Sequence, residues 1–381
     1  MAVPADLVFP AYSSESLREI CSWDGFRPAT FPASELPVDV VRFEGSLSPP
    51  VVLSRARRAE SLKALPASLR ERAIEAFARR EHLHPSLPLP RGRRLDFSSP
   101  PVVMGVINVT PDSFSDGGLY FEPARAVRRA LEMFDAGAAI VDVGGESTRP
   151  STYGEAATVL PEEEIARVVP VIEGIRRATD RPISIDTRKA AVARRALDAG
   201  ADLVNEVSAL RYDPAMLAVL GEEEAGLLVM HMKGSDPRTM HADTSYAHPV
   251  ADIASELALA VGRALDAGIA ADRIAVDPGL GFGKSLEGNL VLLRHIAAFR
   301  SLGFPVAVGA SRKGFVRRFS GISESASVAE RLPGSLAALA AARAGGTAIV
   351  RVHDVEESFR FLRMLAAIEM PEVLQPAGVV R

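Results

Sequence analysis

From about residue 96 onward, short apolar runs alternate with longer amphipathic segments. The runs are rich in β-branched residues and nearly free of polar positions, which is typical of strands buried on both faces of a parallel sheet. There are eight of them, at 102–109, 139–145, 182–187, 202–207, 226–232, 273–279, 305–311 and 347–354. Between the runs, apolar residues recur at spacings of three and four, which predicts helices with one buried face.

A short repeat supports this alternation. The tripeptide Asp-Ala-Gly ends a predicted helix at 135–137, 198–200 and 266–268, each time shortly before a strand run. Glycine at such a position suits a left-handed helix end. Successive strand–helix units of this number predict an α/β fold of the (β/α)8 TIM-barrel type, which takes about 250 residues. A doubly wound open sheet, which more often has fewer parallel strands, is the alternative.

The first 93 residues have a different pattern. They are rich in proline and contain short strand-like pieces, followed at 54–84 by a helical pattern that is interrupted near Pro66. The proline-rich stretch 84–94 resembles a linker. We therefore predict an N-terminal accessory segment of mixed or helical structure over 1–93, with no recognisable chemistry, and the barrel over 94–381.

Composition excludes several classes of protein. The 44 basic and 48 acidic side chains give a net charge of −4, which argues against a nucleic-acid binder. The single cysteine, Cys21, excludes a disulfide framework and a multi-cysteine metal site. The first residues do not resemble a secretory signal, and no uncharged apolar run is long enough to span a membrane. These features predict a cytoplasmic protein that does not bind membranes.

Polar side chains gather at the ends of the predicted strands. In a TIM barrel the carboxyl ends of all strands meet on one rim, where the active site lies. The strand-end residues are Asn108; Ser147, Thr148 and Arg149; Asp186; Asn205; Met230 and His231; Asp277; Ser311, Arg312 and Lys313; and Arg351, His353 and Asp354. A single aspartate here is often only a cap, but the set combines carboxylate and amide acceptors with cations. It predicts a ligand with a flat heterocycle rich in N–H donors at one end and a phosphate or pyrophosphate at the other.

Two loops carry further signals. The glycine-rich segment 279–285 resembles a phosphate-binding P-loop, but Pro278 stands where that motif needs glycine, so its glycines instead let the backbone and Phe282 approach a ligand. The loop after the first strand is long and rich in turn residues, as in a mobile lid. Its Asp112 and Asp116 are equally compatible with a hydrated Mg²⁺ and with turn closure.

These residues stand within longer motifs that resemble those of the dihydropteroate synthases. The motifs are NVTPDSFSDGG (108–118), DVGGESTRP (142–150), SIDTRK (184–189), VNEV (204–207), VMHM (229–232), DPGLGFGK (277–284), GASRKGF (309–315) and RVHDV (351–355). They occur in the family's order and cover roughly residues 94–370, so the resemblance is specific.

The resemblance implies a reaction. In this family, the amine of p-aminobenzoate attacks the exocyclic methylene of 6-hydroxymethyl-7,8-dihydropterin pyrophosphate, giving 7,8-dihydropteroate and pyrophosphate. Mg²⁺ assists departure of the pyrophosphate, and the pterin ionises to a cation before the attack, so that no general base is strongly required. The family fold is a TIM barrel, commonly a homodimer, and the family is the target of sulfonamide drugs.

The resemblance also implies roles for individual residues. The pterin-binding positions correspond to Asp186, Asn205, Met230, Asp277, Phe282, Gly309, Lys313 and Arg351. The pyrophosphate-binding positions correspond to Asn108, Ser147, Thr148, Arg149, Arg351 and His353, and Asn108 also corresponds to the Mg²⁺ position. The p-aminobenzoate site corresponds to Phe114, Thr148, Pro150, Ser311 and Lys313. The catalytic set is then Asn108, Asp116, Lys313, Arg351 and His353.

Some points stay open at this level. Arg188, Glu206 and Ala310 depart from the residues common in the family, which puts affinity for sulfonamides in doubt more than the activity. His231 could be a satisfied core histidine, and Arg312 could form a structural ion pair. The alternative functions are a pterin-binding methyltransferase that serves a corrinoid protein and a non-catalytic pterin-binding protein.

Overall fold

The computed structural model describes residues 5–11, 38–43, 51–55, 57–81, 84–98, 101–110, 123–147 and 159–369. The first elements precede the barrel. They are β1 (Leu7–Ala11), β2 (Val38–Arg42), β3 (Val51–Ser54), α1 (Arg58–Lys63), α2 (Ala67–Glu81), β4 (Ser86–Pro88) and β5 (Arg94–Asp96). The break between α1 and α2 at Pro66 confirms the interruption predicted there.

All of the predicted strand runs form strands of one parallel sheet. These are β6 (Val102–Asn108), β7 (Ile140–Gly144), β8 (Ile183–Asp186), β9 (Leu203–Glu206), β10 (Gly226–Met230), β11 (Ile274–Asp277), β12 (Ala307–Val308) and β13 (Ile349–Val352). Strands β6 to β11 pair in chain order, and β13 pairs with both β6 and β12. A parallel bridge from Val276 to Val306 joins β11 to the residues before β12, so the sheet closes into a barrel. The TIM-barrel prediction is confirmed.

Helices follow the strands around the barrel. They are α3 (Pro123–Asp135), α4 (Pro161–Ala178), α5 (Ala190–Asp198), α6 (Met216–Glu222), α7 (Pro249–Asp266), α8 (Leu286–Arg294), α9 (Gly314–Phe319), α10 (Leu332–Ala344) and α11 (Val355–Glu369). The predicted helix-end glycines Gly137, Gly200 and Gly268 have φ values of 108°, 114° and 87°, in the left-handed region that glycine tolerates. Among the described residues, no helix is long and apolar enough to cross a lipid bilayer.

The segment 84–94, predicted to be a linker, instead forms part of a structural hairpin. Strands β4 and β5 pair antiparallel, and Leu87, Leu89 and Leu95 are buried against residues near the amino ends of the barrel strands. The hairpin therefore closes the end of the barrel opposite the rim. The linker prediction was wrong because leucines alternating with prolines supply enough apolar surface to cover the barrel end.

Two basic residues of this hairpin bind the barrel. Arg91 and Arg93 donate to Asp202, at Nη2–Oδ1 and Nε–Oδ1 distances of 3.0 Å each, and Arg176 approaches the other oxygen at 2.7 Å. Asp202 is fully buried at the start of β9. The hairpin is thus tied to the barrel by a shared buried carboxylate.

The N-terminal strands form a second, three-stranded antiparallel sheet in the order β1–β2–β3. One face, with Val8 and Val41, packs against α2. Leu7 and Phe9, on the other face, belong to the same apolar cluster as the barrel helices. Ser301 links the two parts, since its hydroxyl accepts from the Val8 amide at 3.0 Å. The N-terminal sheet is therefore docked on the barrel wall.

Candidate active site

The carboxyl ends of the barrel strands surround a cavity of about 870 Å³. Nine of the residues predicted from the strand ends and loops lie on its wall. They are Asn108, Ser147, Asp186, Phe282, Ser311, Arg312, Lys313, Arg351 and His353. The structure therefore brings together side chains from β6, β7, β8, β13 and the loops after β11 and β12.

A buried ion-pair cluster lies at the centre of the rim. Arg351 on β13 donates through Nε to Asp142 Oδ2 and through Nη2 to Asp186 Oδ2, each at 2.6 Å. Asn205 donates to the same Asp142 oxygen at 3.0 Å. Burial raises the pKa of Asp186, and the Arg351 guanidinium opposes that shift. One cation thus holds two carboxylates from neighbouring strands in fixed positions.

Asp142 was missed at the sequence level. It lies within β7, is fully buried, and carries the bonds of both Arg351 and Asn205. A carboxylate inside an otherwise apolar strand was the available signal, because such a group is rarely buried without a partner.

Asp277 and Lys313 form a second charged pair in the site. The Asp277 side chain accepts from the Gly279 amide at 2.7 Å, and burial raises its pKa while Lys313 opposes the shift. The Lys313 ammonium donates to the Leu280 carbonyl and lies 4.5 Å from the centre of the Phe282 ring. Burial lowers the pKa of Lys313 to about 8.

Four predicted pterin-binding residues do not form part of the cavity wall. Asn205, Met230 and Asp277 are buried, at 3%, 5% and 4% exposure. Gly309 lies beside Arg351, since a Cβ built on it would be 3.7 Å from the Arg351 Cβ. Asp277 interacts electrostatically with Lys313 of the wall, and Asn205 reaches Arg351 through their shared partner Asp142.

The structure describes some of the residues predicted to bind pyrophosphate. The backbone amide of His353 donates to the Ser311 hydroxyl at 3.2 Å, and the ring Nδ1 lies at the same distance from that oxygen. This contact fixes the end of β13 against the loop after β12. The remaining predicted residues lie outside the described residues: Asp112, Phe114, Asp116, Thr148, Arg149 and Pro150.

Two open points are settled by contacts. Arg312 forms an ion pair with Asp354, with an Nε–Oδ2 distance of 3.0 Å, so its structural interpretation is confirmed. His231 is fully buried and bonded through both ring nitrogens, to Lys284 at 2.7 Å and to Glu256 at 3.1 Å. It is therefore a satisfied core histidine.

The three residues that depart from the family pattern, Arg188, Glu206 and Ala310, are buried and do not line the cavity. Arg188 is buried, approaches Glu146 at 3.2 Å, and lies 4.1 Å from the centre of the Tyr212 ring. Glu206 accepts from the amides of Ser208 and Leu210 and so organises the loop after β9.

The chain was compared with known protein families, and the family that matches it binds the kind of ligand that this site predicts. The sequence model of the family described as "Pterin binding enzyme" matches residues 104–353, which is more than half of the chain. The chain therefore belongs to the pterin-binding enzyme family.

Individual relatives narrow the class. Dihydropteroate synthase of Synechocystis is 42% identical over 282 residues, covering 74% of this chain and 95% of the relative. The Xanthomonas albilineans dihydropteroate synthase solved with 4-aminobenzoic acid is 39% identical, with a TM-score of 0.68, and covers 75% of this chain and 98% of that one. The same enzyme in complex with 7,8-dihydropteroate is 37% identical over 73% of this chain and 97% of that one, with a TM-score of 0.65. Within the family, this chain is a transferase of the dihydropteroate synthase type.

Proposed function

We propose that the cavity binds 6-hydroxymethyl-7,8-dihydropterin pyrophosphate and p-aminobenzoate side by side and joins them. The p-aminobenzoate amine forms a C–N bond to the exocyclic methylene of the pterin, the C–O bond to pyrophosphate breaks, and the amine loses one proton. The observation that carries this proposal is that Asp186, Lys313, Arg351 and His353 line one cavity, with the buried carboxylate of Asp142 bonded to Arg351 behind them.

The pterin end lies at Asp186, Asn205 and Asp277. An ionised carboxylate can accept two N–H bonds from an aminopyrimidine edge. Lys313 faces the carbonyl side of the ring, and Arg351 stacks on it while bound to Asp186. Met230, Phe282 and Gly309 shape the rest of this pocket. These carboxylates also stabilise the positive charge that develops on the pterin as pyrophosphate leaves.

The pyrophosphate end lies at Asn108, Ser147, Arg351 and His353, together with Thr148 and Arg149. Hydroxyl, imidazole and guanidinium donors suit phosphate oxygens. The p-aminobenzoate site is formed by Ser311 and Lys313 with Phe114, Thr148 and Pro150. Because Lys313 belongs to both the pterin and p-aminobenzoate sites, it orients the amine relative to the methylene carbon.

Mg²⁺ is the proposed cofactor, and Asn108 is its proposed protein ligand. Among the described residues, no group of three or more histidine, cysteine or acidic side chains could hold a metal ion. A single amide oxygen on the cavity wall nevertheless suits Mg²⁺, which keeps several waters and binds substrate phosphates. Mg²⁺ would supply positive charge to the leaving pyrophosphate. Asp116 completes the catalytic set that we propose.

The resemblance supports a homodimer as the assembled state. Leu290 on α8 and Phe319 on α9 are apolar side chains with 37% and 49% exposure. Exposed apolar residues on neighbouring helices suit contact with a second copy of the chain.

The proposed reaction is tested with the full-length protein, both substrates and Mg²⁺. We expect pyrophosphate and 7,8-dihydropteroate to form in equal amounts, and EDTA to abolish product formation until Mg²⁺ is restored. Chromatography of the products and a coupled pyrophosphate assay measure both. Asn108→Ala should raise the Mg²⁺ concentration needed for half-maximal rate, whereas Asn289→Ala, on the same cavity wall, should not. Pterin binding without dihydropteroate would contradict the proposed reaction.

Lys313 makes the activity dependent on pH. Because burial lowers its pKa to about 8, the ammonium loses its charge as the pH rises through that value. We expect kcat/KM for p-aminobenzoate to fall tenfold per unit of pH well above pH 8. In Lys313→Arg this fall should move above pH 10, because a guanidinium stays charged there. Persistence of the fall near pH 8 in that variant would assign it to another group.

A further inference from the structure

Lys284 is a buried lysine that the proposed reaction does not use. It ends the glycine-rich loop after β11 and is 4% exposed. Its Nζ lies 2.9 Å from the His231 carbonyl oxygen and 2.7 Å from His231 Nδ1, and burial lowers the pKa of Lys284 well below its usual value. Both bonds cross from the loop after β11 to the end of β10, so this one side chain joins the two segments.

His231 is itself held on every side. Its backbone amide donates to the Asp277 carbonyl at 2.9 Å, and its Nε2 lies 3.1 Å from Glu256. Burial lowers the pKa of His231 to about 3, so the ring is neutral. A neutral ring with Nε2–H directed at Glu256 presents Nδ1 as an acceptor to Lys284. Arg211 Nη1 in turn donates to Glu256 Oε2 at 2.5 Å.

The loop between Asp277 and Lys284 has little freedom to move. Gly279, Gly281 and Gly283 have φ values of 68°, 82° and 70°. A Cβ on Gly279 would lie 1.8 Å from the His231 carbonyl oxygen, so the backbone passes very close to His231. The Gly281 amide donates to Asn289 on α8 at 2.5 Å.

The middle of this loop holds Lys313. The Leu280 carbonyl accepts from the Lys313 ammonium, and the Phe282 ring lies 4.5 Å from it. A Cβ on Gly281 would come 3.0 Å from the Lys313 Cδ, so the lysine stem lies against the loop. The position of the Lys313 charge therefore depends on the position of the loop.

We propose that Lys284 is a positioning residue for Lys313, which acts by fixing the glycine-rich loop to His231. A lysine suits this place because it satisfies two acceptors of His231 at once, which an apolar side chain would leave without a donor. The inference rests on the proposed role of Lys313 in binding both substrates.

A double-mutant cycle with Lys284→Met and Lys313→Met tests the proposal. Methionine keeps the length of the side chain and removes the donors. In the wild-type background, Lys284→Met should lower kcat/KM for p-aminobenzoate about tenfold; in the Lys313→Met background it should lower it less than about twofold. Equal losses in both backgrounds, or no loss in the wild type, would overturn the proposal. The fall in activity near pH 8 should also move to higher pH in Lys284→Met, because a loosened Lys313 is better solvated.

Lys233→Met is the matched control. Lys233 lies on the neighbouring loop, where it pairs with Asp243 and lies 4.3 Å from the centre of the Tyr246 ring. The Lys233→Met variant should keep kcat/KM for p-aminobenzoate within about twofold in both the wild-type and the Lys313→Met backgrounds. If Lys284→Met does not fold, as judged by circular dichroism, Lys284→Gln enters the same cycle, because it retains a donor. Product formation by the wild type tests the proposed function separately, so failure of the cycle alone refutes only the role of Lys284.

Discussion

Replacing Arg351 with methionine should lower the free energy of unfolding by about 3–5 kcal/mol and abolish dihydropteroate formation. The change removes the one cation that contacts both Asp142 and Asp186, and Asp142 is fully buried. Two carboxylates would then lie close together without the guanidinium that bridges them. Urea unfolding at pH 7, followed by circular dichroism, measures the loss of stability.

The loss should shrink at low pH. Without Arg351, the pKa of Asp186 rises further above its unfolded value of about 3.9, so the folded state gains a proton more readily than the unfolded state. The destabilisation therefore grows as the pH rises from the unfolded pKa of Asp186 to its raised pKa in the folded state. It should be smaller at pH 4 than at pH 7. Arg343→Met, which breaks an ion pair with the half-exposed Glu369, should cost less than about 1 kcal/mol. A loss of that size for Arg351→Met would refute the view that Arg351 compensates both carboxylates.

Replacing Asp277 with asparagine should weaken pterin binding by about 2–5 kcal/mol, because a buried charged acceptor is lost. The substitution keeps the size of the side chain and an oxygen that can accept from the Gly279 amide. The folded structure should therefore persist. Titration calorimetry with the dihydropterin substrate, in the absence of p-aminobenzoate, measures the affinity directly.

Asp272→Asn provides the control for this change. Asp272 lies in the short 3₁₀ turn Ala271–Arg273 just before β11, at the opposite end of the strand from Asp277. The same substitution there should leave the affinity for the pterin unchanged. Wild-type affinity in Asp277→Asn would remove Asp277 from the pterin site.

The barrel and most of its rim could be predicted from the sequence because two independent patterns coincide. Continuous apolar runs mark the strands, and polar residues such as Asn108 and Asp186 mark their carboxyl ends. Asp142 lies inside its strand rather than at the end, and its partner Arg351 is 209 residues away, so the sequence marks a charge in an apolar strand but does not indicate what it binds. The role of Lys284 could not be predicted for a different reason. Its segment resembled a phosphate-binding loop, and its partner His231 lies at the end of another strand.

The β4–β5 hairpin was missed because it contains the turn residues Pro88, Pro90 and Gly92 within a few positions. A pattern of turn residues predicts a linker wherever local sequence alone is considered. The three leucines become informative only when the exposed end of the barrel is known. Apolar contacts between residues so far apart in the chain can be recognised only once the fold is known.

The N-terminal sheet and the β4–β5 hairpin both pack on the barrel. We therefore expect them to fold together with it as one cooperative unit. The match to the family begins at residue 104, after both β4 and β5. Leu87 and Leu95 nevertheless complete one apolar cluster of the barrel, and Leu7 and Phe9 share the other with its helices. A fragment trimmed to the matched range would expose these surfaces to water. We therefore expect the folding unit to extend beyond residues 104–353, the range that the family model matches.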